Sequence, residues 1–293
     1  MLPAMSDQKS FSLVDLGDLS KPATVLIERV SDGFGGIFKP TQIRRVAKAE
    51  AEAAKILAAT DIEITDMRQR ALQRVVYEEG KRQENIEQIT WQAAEQLGDG
   101  AKPENLDDDW LANFFDKCRI VSDADMQSLW AKLLAGEATA PGKYSKRTVG
   151  FVSNLDKGDA GLFTLLCSFM WYFPDTHNLA PLVFNYRDDF YSNQNINYSR
   201  LQHLDDIGLI SFATSQSVHL TGLPKNIAAD YFSSRINLEL PQDNDNRLNI
   251  GRVMFTHTGH ELAPICGASR SDEFFQYTLD HWTAQNLNPT IAV

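Results

Sequence analysis

LDDIGLISF (204–212) and FTHTGHEL (255–262) are the stretches that decide how this chain is read. The first closes YSRLQHLDDIGL (198–209), a predicted helix that Gly208 stops, and passes straight into the extended ISFA (210–213). SVHLTG (217–222) alternates like a strand, and residues 231–240 and GRVMFT (251–256) are expected as further strands. The polar run QDNDNR (242–247) reads as the loop between them. In the second stretch the chain leaves a strand and enters a helix at THTGHELAPIC (256–266). Upstream, DAGLFTLLCSFMWY (159–172) predicts a strongly apolar helix. Downstream, DEFFQYTLDHWTAQN (272–286) predicts an amphipathic one.

This helix–helix–strand–loop–strand order resembles a winged-helix fold. Thr256, Gly259 and Leu262 match its strand-to-helix turn, Thr-x-x-Gly-x-x-Leu. The resemblance implies DNA binding, with the second helix in the major groove. The charges point elsewhere. Around that helix Arg200 and His203 face Asp205 and Asp206, with Asp188 and Asp189 just upstream, whereas a DNA reader neutralises phosphates with Lys and Arg. Nucleic acid is therefore disfavoured, and protein contact or a purely scaffolding role is expected.

The N-terminal part reads as helical. TQIRRVAKAEAEAAKILA (41–58) follows Pro40 and carries an apolar line through Ile43, Val46, Ala47, Ala53, Ala54 and Leu57. A longer helix over about 62–98 carries Leu72, Val75, Val76, Ile86, Ile89, Ala93 and Leu97, interrupted by Glu79 and Gln83 and weakened at Gly80. DDDWLANFFDKC (107–118) begins with carboxylates, as a helix dipole favours. Residues 123–137 start after Ser122, with Asp125 in a capping-box position. The expected fold is mainly α with a small β component. A flexible N-terminus, 1–20, precedes a helical domain, 21–155, built as a long hairpin or bundle. A winged-helix-like α+β domain, 156–293, follows and ends in a C-terminal helix.

The chain has 293 residues, with 28 Lys+Arg and 39 Asp+Glu, a net charge of −11. The charge is uneven: residues 1–150 carry −4 and residues 151–293 carry −7. The start MLPAMSDQKSF lacks a basic region followed by an apolar one, and Cys118, Cys167 and Cys266 are far apart. A cytoplasmic protein is expected. The apolar residues of 25–38, around DGFGGIF (32–38), would suit a membrane or partner contact, but a helix end with a turn is the favoured reading. The sequence contains no nucleophile elbow, phosphate loop or dinucleotide fingerprint. His257, His260 and Glu261 do not have the HExxH spacing, and no CxxC is present, so neither a metal nor a cofactor is expected. Glu78/Glu79 and Asp107/Asp108/Asp109 are more readily solvated faces or caps than Mg²⁺ ligands. Basic residues gather at Lys39, Arg44, Arg45 and Lys48, and again at Arg68, Arg70, Arg74, Lys81 and Arg82, where they could contact phosphates or an acidic partner such as the acidic half of a neighbouring subunit, but the interleaved Glu50, Glu52, Glu78 and Glu79 favour ordinary i,i+4 pairing.

Several phrases carry a family resemblance: RRVAKAEAEA (44–53), RALQRVVYEEGKRQENIEQIT (70–90), DDDWLANFFDKC (107–118), SDADMQSLWAKLLAGEATAPGKYSKRT (122–148) and VSNLDKGDAGLF (152–163). Over about 15–285 they resemble the bacterial family of domain of unknown function 2806. DMQSLWAKLLAGEA followed by LDKGDAGLF is also similar to abortive-infection alpha proteins, which implies a role in the bacterial response to phage. The resemblance supplies no catalytic residue. It marks Arg82, Gln83, Asn85, Ile86 and Glu87 on the central helix, and Trp110, Gln127 and Trp130 on the following pair, as candidate binding residues. Gln83, Glu87 and Thr90 share one helix face, and Arg82 and Asn85 an adjoining one, as a register-fixing polar network or a binding patch would require. The expected function is a non-enzymatic interaction or regulatory protein of phage defence, working through protein contacts and homo-oligomeric assembly. The alternatives are a winged-helix transcriptional regulator and a carboxylate-dependent hydrolase or nuclease.

Overall fold

A computed structural model describes residues 19–33 and 66–292. The expectations for most of the N-terminus, for the 41–58 helix and for the patch Lys39, Arg44, Arg45 and Lys48 fall outside the described residues. The chain is mostly α with some antiparallel sheet, and it divides into two units, Met1–Ser153 and Asn154–Val293.

Among the described residues the first unit is built from helices. Helix α1 (Lys21–Gly33) buries Ala23, Leu26, Ile27 and Val30, so the described part of the 25–38 segment turns its apolar side chains into its own core. Leu26, Ile27 and Val30 each contribute about 1.5–3 kcal/mol. Arg29 fastens α1 by donating to the Leu106 carbonyl at 2.5 Å and to Asp108 at 2.9 Å. Helix α2 (Asp66–Ala94) runs through Gly80 without a break. Helix α3 (Asp108–Cys118) is capped by Asp107, which accepts from the Trp110 amide at 2.7 Å, and it buries Trp110, Leu111, Phe114 and Phe115.

Helix α4 (Ala124–Thr139) starts one residue later than expected. Asp123 is its cap, accepting from the Asp125 and Met126 amides, while Ser122 is engaged by Asn85. At the other end, buried Glu137 accepts from the amides of Gly142 (2.6 Å) and Tyr144 (2.7 Å) and so closes the loop. A Cβ at Gly136 would lie 2.6 Å from the Tyr144 ring, so glycine lets the loop pack this tightly. A short helix not foreseen from the sequence, α5 (Lys146–Val152), follows the Ser145 cap.

The second unit opens with helix α6 (Lys157–Cys167). The apolar run expected to stay helical through residue 172 instead splits. Met170–Phe173 forms strand β1, paired antiparallel with β2 (Asn178–Pro181) across a turn in which His177 has φ 50°. Trp171 and Phe173 are buried and Tyr172 is exposed, a period of two that aromatic residues suit. Helices α7 (Asp189–Asn193) and α8 (Tyr198–Asp206) lead into β3 (Ile210–Phe212). Strands β4 (Val218–Leu223), β5 (Asn226–Tyr231), β6 (Ser234–Glu239), β7 (Asn246–Gly251) and β8 (Val253–Phe255) follow. The expected strand at 231–240 is thus a β5–β6 hairpin turning at Phe232, and part of the expected 242–247 loop belongs to β7.

Helix α9 (His257–Leu262), helix α10 (Asp272–Ala284) and strand β9 (Thr290–Ile291) complete the unit. The main sheet has the order β2-β1-β5-β6-β9, and two further pairs are β3 with β8 and β4 with β7. Helix α10 covers the sheet through Trp171, whose ring meets Trp282 at 4.7 Å and lies parallel to Phe275 at 5.9 Å.

Candidate functional site

Helix α2 changes character along its length. Its C-terminal part buries Asn85, Ile86, Ile89, Thr90, Ala93 and Ala94 within the first unit. Residues 67–81 are exposed on every side. At 1.5 Å per residue these fifteen residues make an arm roughly 22 Å long. On it Met67 is 69% exposed, Leu72 41%, Val75 49%, Val76 48% and Tyr77 73%. Other large exposed apolar side chains among the described residues, such as Ile120, Tyr198 and Met254, lie apart from one another in the sequence.

At the root of the arm a buried polar network holds α2. The Asn85 amide donates to the Arg119 carbonyl at 2.9 Å and to Ser122 Oγ at 3.3 Å. Its Oδ1 accepts from Gln127 Nε2 at 3.1 Å, and the same Gln127 nitrogen donates to the Val121 carbonyl at 2.9 Å. The network pins α2 to the α3–α4 connection and satisfies carbonyls at that turn. Asn85 and Gln127 are thereby brought together across 42 residues of sequence. Arg119, Val121 and Ser122 are the partners that sequence reasoning missed, because two of them contribute only backbone carbonyls.

The other candidate residues divide differently from the expected two faces. Gln83 donates to Glu87 at 2.7 Å, a local pair on α2, while Thr90 turns back to the Ile86 carbonyl at 2.8 Å. Arg82 pairs with Glu79 and, at 3.7 Å, with Glu78. Trp110 and Trp130 are core residues that flank Phe114, each with a ring centroid 5.1 Å away, and Trp110 Nε1 donates to the Tyr144 carbonyl at 2.8 Å. Of the acidic cluster, Asp107 caps α3, Asp108 pairs with Arg29, and Lys146 lies 3.8 Å from Asp109.

In the second unit the HTGHE segment is a structural turn. Thr256 caps α9 by accepting from the Gly259 amide at 3.1 Å, and its hydroxyl donates to the Gly208 carbonyl at 2.7 Å. A Cβ at Gly259 would run into the Leu209 carbonyl oxygen, which accounts for glycine there. His257 is the first residue of α9, and it pairs with Glu261 at 3.0 Å. Among the described residues no group of three or more His, Cys, Asp and Glu side chains converges as a metal would need.

On α8, His203 lies 2.7 Å from Asp159 and Gln202 donates to Asp206. An aromatic cluster ties α7 to α10. Tyr277 donates to Asp188 at 2.9 Å, and burial followed by that carboxylate pushes its phenol up. Burial pushes Tyr191 up and His281 down, with the His281 ring 3.7 Å from Phe184. Among the described residues no helix is long and apolar enough to cross a membrane.

A mostly helical unit with an exposed arm, joined in sequence to a mixed α+β unit, defines the class of protein. Residues 69–279 match the family model described as "Protein of unknown function (DUF2806)", and the chain belongs to that family. The match begins inside the arm, so the phrase at 44–53 lies before it. No curated protein and no solved structure matches the chain.

Proposed function

We propose that this protein is a non-enzymatic interaction or regulatory protein of bacterial phage defence, acting in the cytoplasm through protein contacts and self-assembly. The observation that carries the contact role is the arm of α2, where Leu72, Val75 and Val76 stand exposed together. An isolated helix of this length is marginal in water, so a covering partner would stabilise it. The phage setting rests on the likeness of DMQSLWAKLLAGEA and LDKGDAGLF to abortive-infection alpha proteins. The described carboxylates at 78–79 and 107–109 are occupied in ion pairs and a cap, which favours contact over carboxylate chemistry. The test is phage plating on cells with and without the gene. Protection is expected, and the Val75→Glu variant should lose it while still folding. Equal plating of all strains would contradict the phage role.

For the second unit we infer a winged-helix variant. The run α7–α8–β3, the β3–β8 pairing and the Thr256 cap support it, with the wing enlarged into β4–β7. Its use on DNA is the alternative reading, favoured by Tyr198 and Arg200 on the Asn197-capped α8. His203 facing Asp159, together with Asp205 and Asp206, weighs against phosphate binding. No DNA affinity at low salt is the expected result, and a salt-sensitive complex lost on Arg200→Ala would reverse it.

A further inference from the structure

We propose that the arm of α2 pairs antiparallel with the arm of a second copy of this chain. The inference rests on the contact role proposed above and names its occupant. Arg68, Leu72, Val75 and Glu79 follow one another at spacings of four, three and four, so they lie along one helix face, with Val76 beside them. Continued toward the C-terminus, the same face reaches Ile86, Ile89 and Ala93, which are buried in the unit. The arm therefore carries the packing face of α2 beyond the point where the described residues of its own unit cover it.

Charge selects the occupant and its direction. Along that face the apolar centre is bounded by Arg68 on one side and by Glu79 on the other. Antiparallel pairing centred between Leu72 and Val75 places Arg68 of each copy opposite Glu79 of the other. Parallel pairing in register stacks Arg68 on Arg68 and Glu79 on Glu79, which like-charge repulsion disfavours. The surface is thus self-complementary under a twofold axis, as a closed dimer requires. Glu79 already pairs with Arg82 within the helix, but this is an exposed pair, so exchanging partners costs little. A two-helix contact roughly 22 Å long is small for an interface, so the dimer should dissociate on dilution.

Sedimentation velocity on the full chain over a range of concentrations tests this, with far-UV circular dichroism confirming that each variant is folded. The wild type should shift from monomer to dimer as concentration rises. R68E and E79R should each weaken association about tenfold, since each sets like charges against one another. The two changes combined should restore it, because antiparallel contacts then regain opposite charges. V75E should remain monomeric. A wild type that stays monomeric at every concentration overturns the proposal, as does a dimer indifferent to all of these variants. A combined variant as dissociated as either single variant overturns the antiparallel arrangement. A monomeric wild type whose V75E variant still loses phage protection would show that the arm meets another protein, leaving the contact role intact. A charge-sensitive dimer without any phage phenotype would remove the phage setting and leave the pairing standing.

Discussion

The two halves of α2 carry the same kind of apolar line in different surroundings. From Asn85 onward the line meets α1, α3 and α4 and disappears into the core. From Met67 to Lys81 it meets solvent. Between them lie Arg82, Gln83 and Glu84, charged or polar residues that a continuous core would not accept without partners. The contrast teaches that helical periodicity reports a face that needs covering and is silent on what covers it. It also gives the polar interruption a physical meaning: it marks where packing against the other described residues stops.

The largest expected effect lies in the buried half. Ile89→Ala should destabilise the first unit by about 2–5 kcal/mol through the cavity it leaves, read from chemical unfolding. A negligible loss would mean that the two halves are alike. At the junction, Asn85→Ala leaves the Arg119 carbonyl and part of the Gln127 amide without partners. The expected cost is about 1–3 kcal/mol, and Gln127→Ala combined with it should add less than its separate effect. In the arm, Gly80→Ala meets nothing within 4 Å, so it should stabilise α2 by roughly 0.5–1 kcal/mol and raise helicity. The smallest effect is expected from Leu72→Ala or Val75→Ala in dilute protein, within about 0.5 kcal/mol, because neither side chain is buried in the monomer. A loss above that size would show the arm to be part of its own unit's core.

How far the fold was legible differs from place to place. Helices α3, α4 and α10 were readable from their apolar spacing, and at α3 the carboxylates of 107–109 also marked the start. Thr256 and Gly259 announced their turn because a cap and a close backbone approach each require a particular residue type. The run 159–172 misled because a continuous apolar stretch looks the same as a buried helix or a buried strand. Its division at Cys167 depends on Tyr172 alternating between Trp171 and Phe173 and on pairing with distant β5. Of the candidate site, Asn85 and Gln127 were identifiable as residues, but their roles were not. Those roles depend on the Arg119 and Val121 carbonyls, which no side-chain pattern reveals.

Backbone hydrogen exchange along α2, measured in dilute and in concentrated protein, tests most directly whether the arm lacks support within its own chain. Amides of 85–94 should be protected at both concentrations. Those of 67–81 should exchange rapidly when dilute and gain protection as copies associate. Protection of 67–81 equal to that of 85–94 in the most dilute sample would contradict the division of α2 into a covered half and an arm completed by a second copy.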